Sequence, residues 1–161
     1  MQDELSLVTY SMARMVDITH KKDLVRIATA RGKIHLRRET IQLIKEGRVE
    51  KGDVVTITKI VAIDAVKRTS ELLPFCHPIG ITHVDADVRL FDDYVEVEVT
   101  VKGLAKTGVE MEALTGVSLA LLNVWDMVKK YEKDETGNYP WTKISDIVVV
   151  KKVKLDESQM P

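Results

Sequence analysis

Val84-Asp-Ala-Asp-Val-Arg-Leu90 and Val95-Glu-Val-Glu-Val-Thr-Val101 place an apolar residue at every second position, with an acidic turn at Asp92–Asp93 between them. Side chains alternate across a strand, so this spacing turns every apolar group to one face and the charged groups to the other. The pair predicts a β-hairpin with one buried face. That face needs a cover. Thr107–Lys133 supplies one, a predicted long helix with Leu114, Val117, Leu121, Val124, Trp125 and Val128 at three- and four-residue steps. Val25–Leu36 alternates around Gly32 and predicts a strand, and Arg38–Glu46 predicts a short helix stopped by Gly47. Val54–Leu72 predicts a helix that Asp53 can cap and Pro74 ends. After a loop marked by Gly137, Asn138 and Pro140, Ile144–Val153 closes the chain as a strand. Antiparallel strands with helices on one face make an α+β sandwich. Residues 1–14 read as a loose arm and 15–161 as a single domain.

Composition narrows the function. The chain has 161 residues, enough for one core, with 24 Lys and Arg against 25 Asp and Glu, a net charge of −1. No domain-wide basic field exists for nucleic acid, and eight aromatic residues are few for base stacking. No apolar run approaches the roughly 18 residues of a membrane span, and the first residues lack the order of a signal peptide. One cysteine, Cys76, excludes an internal disulfide and the paired-cysteine zinc motifs. The expectation is a cytoplasmic protein with no nucleic-acid or membrane partner, no metal and no cofactor.

Several segments could carry chemistry. In Pro74-Phe-Cys-His-Pro78 two prolines stiffen the loop and display His77, suited to acid–base work or to capping a backbone carbonyl. Cys76 beside it reads as a small apolar residue rather than a nucleophile. Glu110 and Glu112 open the long helix two positions apart, about 200° around it, so they do not share a face. Gly108 and the free N–H groups there could instead receive an anion, although the glutamates oppose one. Asp126 has Lys129 and Lys130 at i+3 and i+4, ordinarily a surface ion pair. Lys51-Gly-Asp53 forms a turn before a helix but lacks the spacing of a P-loop. His20, His35 and His83 have no ligand partners in the pattern.

Six segments occur in one order: Met15-Val-Asp17, Lys51-Gly-Asp-Val54, Ala65-Val-Lys-Arg-Thr-Ser-Glu-Leu-Leu-Pro74, Phe75-Cys-His-Pro78, Thr107-Gly-Val-Glu-Met-Glu-Ala-Leu-Thr115 and Trp125-Asp-Met-Val-Lys129. That order strongly resembles the cyclic pyranopterin monophosphate synthase family (MoaC-like) of molybdenum cofactor biosynthesis, over about residues 15 to 153. The resemblance implies a ferredoxin-like fold and a lyase reaction. A 3′,8-cyclised dihydro-GTP, handed over by an upstream radical GTP cyclase, would become cyclic pyranopterin monophosphate with release of pyrophosphate. It implies Asp126 as the leading acid–base residue, with Lys51, Lys129 and His77 also catalytic. Phe75, Cys76, His77, Glu110, Met111, Glu112 and Lys152 would bind substrate. Lys152 is the best match to the family's late lysine, with Lys151 and Lys154 as close rivals; the family's Gly-rich tail is replaced by Val153-Lys-Leu-Asp-Glu. Lys51, Lys129 and Lys152 would stabilise phosphate charge as a cluster, their mutual repulsion lowering their pKa values.

Helix geometry adds a constraint. Glu112 and Asp126 are separated by roughly 21 Å along one helix and cannot converge on one reacting centre within a subunit. The resemblance implies a homo-hexamer, a trimer of dimers, and the helix arithmetic puts its sites at the dimer interface. His77 and the Glu110/Glu112 pair would come from one chain, Asp126 and Lys129 from its partner. Two other classes compete: a pterin or nucleotide carrier without chemistry, and an RNA-binding ferredoxin-like domain. The latter lacks aromatic residues on Val95–Val101.

Overall fold

The computed structural model describes residues 13–160, so the expected arm falls outside the described residues except for Ala13 and Arg14. Four strands, β1 (Leu24–His35), β2 (Gly80–Leu90), β3 (Tyr94–Ala105) and β4 (Lys143–Leu155), form one antiparallel sheet in the order β2-β3-β1-β4. Between β1 and β2 lie α1 (Arg38–Lys45), α2 (Val54–Lys67) and α3 (Thr69–Leu72); α4 (Glu110–Glu132) joins β3 to β4. Two interleaved strand–helix–strand units with this order are the ferredoxin-like α+β arrangement, as expected.

The hairpin has the register its alternation demands. Val84 pairs with Val101, Ala86 with Val99, Val88 with Val97 and Leu90 with Val95. On β3 all four valines are fully buried. They meet Ala113, Val117, Ala120, Leu121 and Val124 of α4, with Ala62 and Val66 of α2, in one core. Helix α4 comes close to the sheet at Gly32, where a Cβ would lie within 2.9 Å of the Leu121 and Val117 side chains of α4 and of Ile147 of β4. Only a glycine lets α4 sit this low on β1. On the other face, Arg31 bridges Glu96 and Glu98 while Arg89 pairs with Asp87, so the charged half of the alternation is paired rather than packed.

Three element boundaries differ from the expectation. The helix expected over 54–72 breaks at Arg68 (φ −102°, ψ 6°) into α2 and α3. Thr69 Oγ1 donates to the carbonyls of Ala65 and Val66, and such back-bonding loosens a helix. The long helix starts at Glu110, not Thr107, because β3 runs on to Ala105 and no side chain caps the new N-terminus. Strand β2 begins at Gly80, before alternation becomes visible at Val84, with a register shift between Ile81 and His83. The cap expected at Asp53 is present, accepting from Thr56 N at 3.1 Å.

The far end of α4 is tied by a buried acid. Glu132 has no exposed surface. It accepts from Thr40 Oγ1, from Thr142 Oγ1 at 2.8 Å and from Arg37 N at 3.2 Å, joining α4 to the start of α1 and the chain entering β4. Helix α4, at 23 residues, is long and apolar enough to cross a bilayer, but its apolar side is spent on the sheet and α2.

Candidate active site

Two groups of chemically active side chains lie at opposite ends of α4. At its N-terminal end, the Leu73–Ile79 loop passes beside the first turn of the helix, and Leu73, Phe75, His77, Thr107, Glu110 and Met111 border a cleft of about 490 Å³. Leu73, before Pro74, is extended (φ −113°, ψ 97°), and a turn closed by Cys76 N donating to Leu73 O at 2.9 Å sets the direction of the loop. His77 Nε2 lies 2.6 Å from the carbonyl of Val16. A carbonyl only accepts, so Nε2 is the donor there, and the contact leaves Nδ1 as the ring nitrogen not bonded to Val16. Of the two readings of this histidine, the carbonyl cap is the contact the structure shows, and it leaves Nδ1 available.

Glu110 and Glu112 point apart, as their spacing requires. Glu110 is ion-paired with Lys152 of β4. Burial works against its charge, but the bond to Lys152, its own backbone N–H and nearby Arg26 outweigh burial and hold the carboxyl below its ordinary range. Its carboxylate folds over Gly108, where even a Cβ would collide with it. The anion considered for this helix terminus therefore has no room. Glu112 turns inward and is 3% exposed. Burial pushes its carboxyl upward, reinforced by the charge of Glu110. Its Oε1 is 4.0 Å from the Cys76 thiol. That thiol is pushed up by burial and then by Glu112, so it stays protonated, in keeping with the non-nucleophilic reading.

Of the three candidate late lysines, Lys152 is the one on Glu110. Lys151 pairs with Thr29 in the sheet register and so faces the other side.

At the C-terminal end of α4, Asp126 is bracketed by two cations. Lys51 Nζ lies 2.9 Å from Oδ2 and Lys129 Nζ 3.2 Å from Oδ1. Hydrogen bonds from Lys51, then Lys129, hold the carboxyl below its ordinary range, so at neutral pH it is an anion able to accept a proton. Gly52 (φ +115°) makes the turn that brings Lys51 to it. A further pair, Lys130 with Glu50, flanks the group. The three lysines expected to cluster do not do so within one chain: Lys51 and Lys129 share Asp126, while Lys152 is at the other end on Glu110.

Some neighbours were missed by the sequence reading. Arg26 reaches from β1 to the carbonyls of Ala105 and Lys106. Lys106 Nζ donates to Lys21 O at 2.9 Å, and with His77 and the Met15–Thr19 segment it lines a second hollow of about 410 Å³. Asp17, held below its ordinary range by Thr19 and then by His77, lies in that segment. The only signal for Lys106 was its position one residue before the Thr107 segment. Nothing in a single sequence marked Arg26.

Fold and site together define a ferredoxin-like domain with a histidine–glutamate centre at one end of its long helix and a lysine–aspartate centre at the other. The chain belongs to the MoaC family, whose model matches residues 15–154. It is 52% identical over 155 residues to a probable cyclic pyranopterin monophosphate synthase of Pyrococcus furiosus, covering 96% of this chain and 99% of that one. Another protein of that description, from Aeropyrum pernix, is 58% identical over 144 residues, covering 89% and 99%. A Methanothermobacter thermautotrophicus protein named probable cyclic pyranopterin monophosphate synthase accessory protein is 55% identical over 143 residues, covering 89% and 90%.

Proposed function

We propose that this protein is a cyclic pyranopterin monophosphate synthase, a lyase of molybdenum cofactor biosynthesis. It converts (8S)-3′,8-cyclo-7,8-dihydroguanosine 5′-triphosphate into cyclic pyranopterin monophosphate and diphosphate. The observation that carries this reading is family membership over nearly the whole chain, with His77, Glu110, Glu112, Lys51, Asp126 and Lys129 present in the family's segments.

The two centres divide the chemistry. When a sugar hydroxyl attacks the α-phosphorus, a new P–O bond forms as the bond to diphosphate breaks. Negative charge grows on the departing phosphates, and lysine ammoniums are suited to receive it. Rearranging the purine into a pterin moves protons between carbon, nitrogen and oxygen. Asp126 serves as the ionised base between its lysines, and His77, through Nδ1, and Glu112, with its raised pKa, hold and release protons. Phe75, Cys76 and Met111 line the approach to these groups and bound the substrate pocket.

Because one chain keeps the centres apart, a complete site takes His77, Glu110 and Glu112 from one subunit and Lys51, Asp126 and Lys129 from a two-fold partner. Three such dimers make the hexamer, working in the cytoplasm and receiving the unstable nucleotide from an upstream radical GTP cyclase. The test is direct. Purified protein incubated with the cyclised nucleotide should release pyrophosphate and form the cyclic monophosphate. Tight binding without pyrophosphate release would instead identify a carrier or accessory protein, the description that the Methanothermobacter relative bears.

A further inference from the structure

His77 borders one more space, separate from the cleft. Behind the Pro74–Pro78 loop is a chamber of about 80 Å³ walled by Val66, Ser70, Ile79, Ile81, His77 and Glu112. The lining mixes apolar groups with the polar side chains of Lys67, Thr69, Ser70, His77 and Glu112. Glu112 is buried against it, and among the described residues no protein donor reaches its Oε2. A buried polar atom without a partner is costly and rare in native structures. Thr69, also at the wall, has its hydroxyl committed to Ala65 and Val66. The hydroxyl of Ser70 donates to none of the described residues. A water requires roughly 10–15 Å³ of accessible space and two to four polar partners. The chamber exceeds that space, and Glu112 with its unpartnered Oε2, Ser70 and His77 are three polar residues at its wall.

We propose that this chamber is a water site in which Ser70 anchors water against Glu112 Oε2 and His77, making Ser70 a positioning residue for the proton that Glu112 holds. The inference rests on Glu112 and His77 acting as acid–base groups of the proposed synthase. It places them on one hydrogen-bonded network without direct contact. It also explains how an acid so deeply placed can lose its proton, because water at Oε2 hydrates the carboxylate that burial opposes. The titratable groups around Glu112 are Cys76 and His77 from the loop, Lys67 from the end of α2 and, on α4 itself, Glu110, which points away but whose charge still acts on it.

The test reads Glu112 directly. Infrared difference spectra of wild type against Glu112→Gln isolate the carboxyl C=O band, which is then titrated with pH. Ser70→Ala should shift the band to higher frequency, as a hydrogen bond is lost. It should also move the midpoint up by about one pH unit, a tenfold gain in proton affinity. Ser70→Thr and Ser70→Val share branching and differ in the hydroxyl, so Thr should keep the wild-type band and Val should not. This comparison holds packing constant if the alanine variant folds poorly. Turnover should follow: kcat about tenfold lower for Ser70→Ala with KM nearly unchanged. A band and midpoint identical in wild type and in folded Ser70→Ala or Ser70→Val would overturn the proposal. If wild type bound the nucleotide without turning it over, the synthase reading would fail, and the spectra would still decide the water site.

Discussion

Glu112 and Asp126 stand on one uninterrupted helix, fourteen residues apart, which the α-helical rise converts to about 21 Å along its axis. Glu112 turns into the domain toward Cys76, while Asp126 lies at the surface between Lys51 and Lys129. No side chain spans that distance. A reaction needing both groups needs two copies of the chain.

Mixing two inactive variants tests this arrangement. Glu112→Ala and Asp126→Ala should each abolish pyrophosphate release. After subunit exchange, half of the sites in a mixed dimer carry neither lesion, so activity should return toward about a quarter of wild type for random pairing. Exchange verified by mass spectrometry with no recovery would show that each site is built within one chain.

His77→Ala should lose turnover while melting within about 2–4 °C of wild type, since the ring is displayed from a loop and its bond to Val16 O is local to the site. Pyrophosphate release near the wild-type rate would remove His77 from the chemistry.

Glu112→Gln should stabilise the protein at alkaline pH. Burial raises the carboxyl's pKa, so the folded state keeps a proton that the unfolded state sheds. Stability is therefore full below the unfolded pKa and falls as pH rises through the folded one. Glutamine does not titrate, so the variant should melt a few degrees above wild type at pH 8, with the difference shrinking toward pH 4. A difference that does not vary with pH would contradict the raised pKa.

Glu132→Ala should be costly without touching the chemistry. It strands the buried hydroxyls of Thr40 and Thr142 and the N–H of Arg37, a loss of about 3 kcal/mol or more. Urea denaturation should show the midpoint falling, and Glu132→Gln, which keeps an acceptor, should lose less. Equal stability of Glu132→Ala and wild type would mean that water replaces the carboxylate.

The legible part of this protein is what a short window of chain decides. The hairpin register followed from alternation at Val84–Leu90 and Val95–Val101, and the body of α4 from its three- and four-residue steps. The separation of Glu112 from Asp126 followed from helical rise alone, without any tertiary contact. Local pattern failed where competition is between neighbouring hydrogen bonds, as at Arg68, where the Thr69 hydroxyl decides the break between α2 and α3.

The chemistry of the site was decided elsewhere. His77 meets Val16 across 61 residues, Cys76 meets Glu112 across 36, and Glu132 reaches Arg37 across 95. These contacts depend on the relative placement of whole elements, which is set by the packing of α4 onto β1 at Gly32 and is invisible to periodicity. The sequence could name the histidine, the glutamates and the aspartate. Only burial could decide that Glu112 tends to hold its proton, and only the cations packed beside them could decide that Glu110 and Asp126 give theirs up, because the free energy of a charge depends on what surrounds it in space.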